Sequence, residues 1–525
     1  MVIPAVPDMH ITAMAARLWP YSLRCAVAAA VGLGAMSSAW AQWWIVPSVS
    51  AGLTFTDNVS LAPQEQAQSD VYAEIAPRIQ IGHDGGRLKL DLDYVLRGFW
   101  YAQESNLNDI QNHLFALGTL EAIDQWLFID AQATIDQQRI SAFGAQASDN
   151  GTANSNQREV TTYRVSPYIR GRFGTTTDYE LRYAFTDQKN SNIESVPGFS
   201  ASDENYSTST WFGTVRGSTA IGSLGWSLEA FQESVNYEQG RDLELDRVRG
   251  FLIYQIDPQF RVRGSVGRES NNFTTVDSEA SSTYGYGLDW APTERTNLST
   301  FREKRFFGTG YAYSLTHRTP LASLSITDTK TLTTTADSQM SAGAGIAHDL
   351  FSTALTTQFP DPVQREQEVR RLLAQSGTSS DLGLSGSFAT TRVTVEHRRG
   401  IAVALLRVRD TVAFGAYRTD REALGEGSGI ADDFNLSNNI TETSFNANWS
   451  HRLTGFSSLN LSADLVRSSG DNDLQSDDWT LRLLFSTQLA PRTSGIIGLR
   501  YRDFNSNSQS DFKETAAFAS INYQF

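Results

Sequence analysis

The chain alternates. From 87 to 101, Leu88, Leu90, Leu92, Tyr94, Leu96, Gly98 and Trp100 fall on one face of an extended backbone, while Arg87, Lys89, Asp91, Asp93 and Arg97 fall on the other. Successive side chains of a strand point to opposite sides, so this segment is a strand with one apolar wall and one charged wall. The period of two recurs. Leu127, Ile129, Ala131, Ala133 and Ile135 oppose Asp130, Gln132, Thr134 and Asp136. Tyr163, Val165, Ile169 and Phe173 oppose Arg164, Ser166, Arg170 and Arg172; Tyr179, Leu181, Tyr183 and Phe185 oppose Glu180, Arg182 and Thr186. Farther on, Leu481, Leu483 and Phe485 oppose Arg482 and Ser486, and Ile497, Leu499 and Tyr501 oppose Arg500 and Arg502. Each stretch is long enough for a tilted strand to cross a bilayer.

The connections alternate as well. One set is short and turn-like: His83, Asp84, Gly85 and Gly86; Gly174, Thr175 and Thr176; Asp257, Pro258 and Gln259; Ala291, Pro292 and Thr293; Ala490, Pro491 and Arg492. Glycine supplies positive φ there, and proline presets a turn while withholding its N–H from the ladder. Between these lie longer stretches rich in Ser, Asn, Asp and Gly, at 145–157, 189–204, 424–439, 468–477 and 505–511. Short turns at one end and long polar loops at the other predict an all-β fold: a large antiparallel transmembrane β-barrel of about 22 strands, within a range of about 18 to 26. A soluble sandwich would put its leucine face on a second sheet and mix loop lengths at both ends. A barrel of this size encloses a lumen wider than side chains alone can fill.

The two ends fit that reading. Residues 1–41 have the form of a cleaved signal peptide, with Arg17 and Arg24 before the apolar run 25–36 and Ala39, Trp40 and Ala41 as the cleavage site. The barrel then spans 42–525. The apolar run is too short to cross a bilayer as a helix. Cys25 is the single cysteine, so the mature chain would have no disulfide or thiol chemistry. At the other end Phe525, Tyr523, Ile521, Ala519 and Ala517 share a face against Gln524, Asn522 and Ser520. This strand is similar to the closing strand of bacterial outer-membrane barrels, and the resemblance implies that Tyr523 and Phe525 act as the assembly signal read by the barrel-insertion machinery. No apolar run of helix-spanning length follows residue 41. Net charge is −15 with 11% aromatic residues, which argues against nucleic acid as a partner. The expected surroundings are outer-membrane lipid and lipopolysaccharide.

One segment breaks the rhythm. Within 343–377, Leu350, Phe351, Ala354 and Leu355 cluster at helical spacing. Asp361 then reads as an N-cap with Pro362 at the first helical position, Val369, Leu372 and Leu373 form a second stripe, and Gly377 ends it. The spacing predicts a short helical insert on the long-loop side, either a plug in the lumen or a cap over the rim.

Candidate chemistry is sparse. His83, His113, His317, His348, His397 and His451 form no paired-histidine motif and no nucleophile elbow, and metal-ligand spacing is absent. No catalytic residue, metal or cofactor is expected. The charged wall is the stronger feature. Lys89, Asp91, Asp93, Arg97, Asp130, Asp136, Arg164, Arg170, Arg172, Glu180, Arg182, Arg261, Arg263, Arg482, Arg500 and Arg502 are predicted to line the lumen, where they would bias the passage of charged solutes or brace the wall by ion pairs. Asp203, Glu204, Asp242, Glu244, Asp246, Asp432, Asp433, Asp471, Asp473, Asp477 and Asp478 are expected to form an acidic outer rim, solvated or bridged by divalent cations to lipopolysaccharide phosphates.

Two regions carry a family resemblance. The first runs from Trp44, Ile45, Val46, Pro47 and Ser48 to Thr56, Asp57, Asn58, Val59, Ser60 and Leu61. The second comprises Asp349, Leu350 and Phe351, then Pro360, Asp361, Pro362, Arg365 and Val369. With the overall length, these resemble the PEP-CTERM system-associated outer-membrane β-barrel proteins, which accompany loci for exopolysaccharide synthesis and export. The resemblance implies a non-enzymatic channel or accessory protein in exopolysaccharide export, with polysaccharide and its export proteins as partners. It supplies no catalytic residues. A general diffusion porin for small polar solutes and a barrel enzyme acting on envelope lipid or glycan are the alternatives.

Overall fold

The computed structural model describes residues 43–146, 156–190, 205–219, 221–238, 240–334, 351–353, 355, 356, 365, 368, 369, 388, 390–425 and 432–525. The expected signal peptide and much of the 343–377 insert lie outside them.

The described chain is almost wholly strand. In order these are β1 (Trp43–Thr56), β2 (Asp70–Asp84), β3 (Leu88–Tyr101), β4 (Asp109–Ile123), β5 (Leu127–Arg139), β6 (Gln157–Phe173), β7 (Thr177–Asn190) and β8 (Tyr206–Ser218). Next come β9 (Leu224–Tyr237), β10 (Leu243–Asp257), β11 (Phe260–Asn271), β12 (Glu279–Thr293), β13 (Thr296–Arg305), β14 (Gly308–Thr319) and β15 (Ala322–Thr333). The last are β16 (Val393–Leu406), β17 (Asp410–Leu424), β18 (Asn439–Arg452), β19 (Ser457–Gly470), β20 (Gln475–Ala490), β21 (Thr493–Ser506) and β22 (Phe512–Gln524). Each pairs antiparallel with its neighbours in sequence, and β1 pairs with β22 from Ser48 opposite Gln524 to Thr56 opposite Ala516. The 22-stranded sheet is therefore a closed cylinder without a free edge.

Register decides the faces. Leu481 lies beside Tyr501, Leu483 beside Leu499 and Phe485 beside Ile497, and all six are exposed. The intervening Asp478, Thr480, Arg500, Arg502, Glu514 and Ala516 are buried. The exposed apolar surface continues around the cylinder through Leu53 and Phe55, Leu181 and Phe185, Leu252 and Tyr254, Tyr284 and Tyr286, and Ile326 and Ile401. Bare hydrocarbon on this scale is stable only against lipid, and a closed barrel is the β-structure that leaves no backbone group unpaired there. Trp44, Trp126 and Trp290 stand near the short-turn end of the apolar band, and Trp100 and Trp479 near the other, as in the aromatic girdles of outer-membrane barrels. The protein is an outer-membrane β-barrel. Among the described residues no helix is long and apolar enough to cross a membrane; the strands do so instead.

The short turns gather at one end. At the β6–β7 turn Gly174 takes φ +61°, a conformation that a side chain would strain. The longer connections gather at the other end, with exceptions: β13 and β14 are joined there by Phe306 and Phe307 alone, and β19 and β20 by 471–474. Within the predicted insert, Phe351–Thr353, Leu355, Arg365, Glu368 and Val369 are helical, and Phe351, Leu355 and Val369 are almost fully buried.

Candidate functional site

The inner wall is a mesh of ion pairs. Asp93 binds Arg78 and accepts from Gln80 at 3.1 Å; Arg97 meets Glu74 at 3.2 Å. Lys89, close to the short turns, is mostly exposed and lies 3.6 Å from Asp84. Asp91 is opposite Leu117, and Asp136 lies 3.4 Å from His113. Arg182 reaches Asp130 at 2.7 Å and Glu180 at 3.3 Å, with its guanidinium 3.8 Å from the centre of the Tyr168 ring. Arg170 covers Phe128 at 4.3 Å, Arg172 pairs with Asp178 at 2.8 Å, and Arg164 lies between Gln132 and Thr186. Arg261 and Arg263 share Asp289 at 3.6 and 3.8 Å, and Arg482 stands 3.7 Å from Asp464.

Arg500 and Arg502 have a different setting. Arg500 binds Glu514 at 2.6 Å and Arg502 binds Asp478 at 2.6 Å, and these four side chains are at most 8% exposed. Alternation assigns them a face, but what covers that face comes from distant loops. Asp478 and Asp433, expected on a solvated acidic rim, are buried for the same reason.

The cover is built largely by the first part of loop 140–156, residues 140–146, together with Asn156. It leaves β5 and is fastened to strands on the far side of the cylinder; β18 is nine steps away by the shorter route (four to β1, one across the seam, four back). At its root Arg139 binds Glu442 of β18 at 2.5 Å, and Glu442 also holds Arg421 of β17, which in turn binds Glu396 of β16 at 3.0 Å. Ala142 N–H donates to Asp433 at 2.6 Å, and Gln146 N–H donates to Asp478 of β20 at 2.9 Å. Phe143, with no exposed surface, packs with Ala142, Phe388, Phe434 and Ile440. Ala145 packs with Phe504 of β21, Phe512 of β22 and Leu61. The Asn156 amide ties the loop to itself, accepting from Ser141 N–H at 2.8 Å and donating to the carbonyls of Ser141 and Ala145 at 3.0 and 3.1 Å. That clamp fixes an irregular backbone whose polar groups would otherwise be buried without partners.

A second closure crosses the mouth elsewhere. Tyr206, Val235, Leu243 and Leu245 of β8–β10 pack with Phe273, with Leu332 of β15 and with Val393 of β16. The Tyr237 hydroxyl donates to the carbonyl of Thr391 at 3.4 Å. Both closures join loops and strand ends, so they can part without unpairing a strand of the wall.

Asp432 and Asp433 begin the short turn that receives loop 140–156. Asp432 caps it, accepting from Phe434 N–H, and binds the Thr390 hydroxyl at 2.7 Å and Arg392 at 3.3 Å. Burial pushes the Asp433 carboxyl up to about 7, against the opposing pull of its bonds to Ala142 N–H and the Ser141 hydroxyl. Burial also raises Asp432.

The histidines are dispersed. His317 contacts Thr296 at 2.9 Å, His451 binds Asp410 at 2.8 Å, and His83 stacks on Trp43. His348 lies outside the described residues. His397 meets both Asp328 and Tyr311 at 2.9 Å through the same ring atom, Nε2. A relay needs the two ring nitrogens to serve different partners, so this trio lacks a triad's geometry. Among the described residues no group of three or more His, Cys, Asp or Glu side chains could hold a metal ion.

No family model matches the sequence, and no curated protein does. Solved structures of similar shape include the siderophore receptor PirA from Acinetobacter baumannii, at 7% identity and TM-score 0.43, covering 91% of this chain and 80% of that one. The FrpB iron transporter from Neisseria meningitidis matches at 10% identity and TM-score 0.37, over 92% and 82% of the two chains. The outer membrane protein opdK from Pseudomonas aeruginosa matches at 8% identity and TM-score 0.34, over 92% and 99%.

Proposed function

We propose that this barrel is a non-enzymatic outer-membrane conduit, gated by its own loops, with a polar polymer as cargo and exopolysaccharide as that polymer. The observation that carries the reading is the fastening of loop 140–156 across the lumen to Glu442, Asp433 and Asp478. An open diffusion pore has no use for a buried latch over its mouth. A conduit for a long polymer has to be shut when empty, because a lumen wide enough for a hydrated chain would leak small solutes. The paired charges of the inner wall suit a hydrated polar cargo: they offer hydrogen bonds without one unbalanced field to trap it. The choice of exopolysaccharide rests on the family resemblance of the mature N-terminal region and the insert. The shared use of His397 Nε2 by Asp328 and Tyr311 favours a channel over a lipid-face hydrolase.

The test is conductance of the purified full-length protein in a planar bilayer, beside a variant lacking 140–156. The parent should conduct little. The deletion should open it by several-fold, and an acidic polysaccharide added to one side should then block the current. Equal conductance in both proteins would remove the gate. In cells, deleting the gene should abolish surface polysaccharide and spare small-solute uptake; the reverse pattern would favour a general porin.

A further inference from the structure

The outer face carries a feature that transport through the lumen does not use. On the long-loop side, Arg302 lies beside Tyr311, Tyr311 beside Lys330, Lys330 beside His397 and His397 beside Asp420. One step toward the bilayer, Asp328 lies beside Arg399, Arg399 beside Arg418, Arg418 beside Thr443, Thr443 beside Arg467 and Arg467 beside Asp477. One further step brings Ile326, Ile401, Ala416, Phe445, Leu465 and Trp479, the upper edge of the apolar band. Period-2 alternation puts all three rows on the same, outward side. These charged rows therefore stand at the level where lipid headgroups replace hydrocarbon.

The balance there is positive. The two charged rows hold Arg302, Lys330, Arg399, Arg418 and Arg467 against Asp328, Asp420 and Asp477, and the next row outward adds Lys304 and Glu422. Arg399 and Arg418 are direct cross-strand neighbours, 46% and 54% exposed, and both lean on the single carboxylate of Asp420, at 2.5 and 3.0 Å. Like charges directly opposite in a sheet repel, so one shared aspartate leaves the pair short of negative charge. The sign belongs to this sector: the corresponding outward ends of β7 and β10 carry Asp187, Glu244 and Asp246 against Lys189.

We propose that the outward basic patch on β13–β19 binds the phosphate groups of a phosphorylated glycolipid in the outer leaflet. Paired guanidinium forks match phosphate oxygens in geometry and charge, and the apolar row beneath would receive the acyl chains of the same molecule. The complementary charge, its position directly above hydrocarbon and its outward direction single out a lipid rather than a soluble anion.

The test uses the full-length protein in nanodiscs of zwitterionic phospholipid doped with bisphosphorylated lipid A or with its dephosphorylated form. Bound lipid is counted by native mass spectrometry. The parent should retain the phosphorylated lipid at least about tenfold better than the dephosphorylated one, and R399E/R418E should lose that preference. Millimolar inorganic phosphate should not displace the lipid. Equal retention of the two lipids by the parent would overturn the proposal without any variant, so a misfolded mutant cannot rescue it. Unchanged preference in a folded R399E/R418E protein, or full displacement by inorganic phosphate, would overturn it too.

Discussion

At the scale of single residues, Asp433 makes the latch sensitive to pH. Its carboxyl titrates at about 7 when docked, against 3.8 for a free aspartate. Between those values Asp433 keeps its proton while loop 140–156 is docked on it and gives it up when the loop is released. The contribution to docking is fully present below the free pKa, weakens as pH rises, and is lost once pH passes the docked value. The expected outcome is slow protease cleavage within 140–156 at about pH 5 and faster cleavage at about pH 8. Asp433→Asn should flatten that profile. Glu442 poses a harsher case. It has no exposed surface and binds both Arg139 and Arg421, so Glu442→Ala would take a shared carboxylate from two buried cations, with Glu396 still holding Arg421. A loss on the order of 3–5 kcal/mol is expected at such a site. Arg172→Ala, which breaks an exposed pair with Asp178, should cost about 0–1 kcal/mol. Midpoints of urea unfolding, read from heat-modifiable gel mobility, would rank the two.

At the scale of elements, the latch and the wall should come apart separately. Phe143→Ala removes a fully buried ring from the apolar pocket of Phe388, Phe434 and Ile440, a change worth about 3–5 kcal/mol in a packed interior. That energy belongs mainly to docking of loop 140–156, because Phe143 lies outside every strand and meets the wall only at strand ends, Ile440 of β18 and Gly470 of β19. The loop should become cleavable while barrel unfolding moves little; a matching drop in barrel stability would show that loop and wall are one cooperative unit. The strands themselves were legible in the sequence, since the run of Leu88, Leu90 and Leu92 fixes both the period and the apolar face of β3. The latch was not. Residues 145–157 read as a polar loop, and nothing local to Ala142 or Phe143 announces partners at Asp433 and Phe434, close to three hundred positions on. Arg500 and Arg502 show the same limit: alternation gives the side of the sheet, while burial depends on Ala145 and its neighbours arriving from another sector. Ladder pairing is periodic and therefore readable; contacts between loops depend on the closed shape.

At the scale of the whole molecule, closure makes the two sides of the wall obey opposite rules, and adjacent strands test it. Leu181 lies near the middle of β7, exposed on the outer face beside Gly213 and Ile169. Thr214, one residue on from that glycine, faces inward between Glu180 and Glu229. Leu181→Arg would put a cation into hydrocarbon, at a cost of about 2–4 kcal/mol near the bilayer midplane. Thr214→Arg would put the same cation beside two carboxylates in a polar lumen and should stay within about 0.5 kcal/mol of the parent. Folding from urea into bilayers of fixed thickness, followed by gel mobility, separates the two. A soluble sandwich would punish both substitutions according to burial alone. A barrel punishes the first far more, although the two sites lie on neighbouring strands and receive the same side chain. Equal penalties would mean that the outer apolar surface does not meet lipid, and the gate, the conduit and the lipid-binding patch would all lose their footing together.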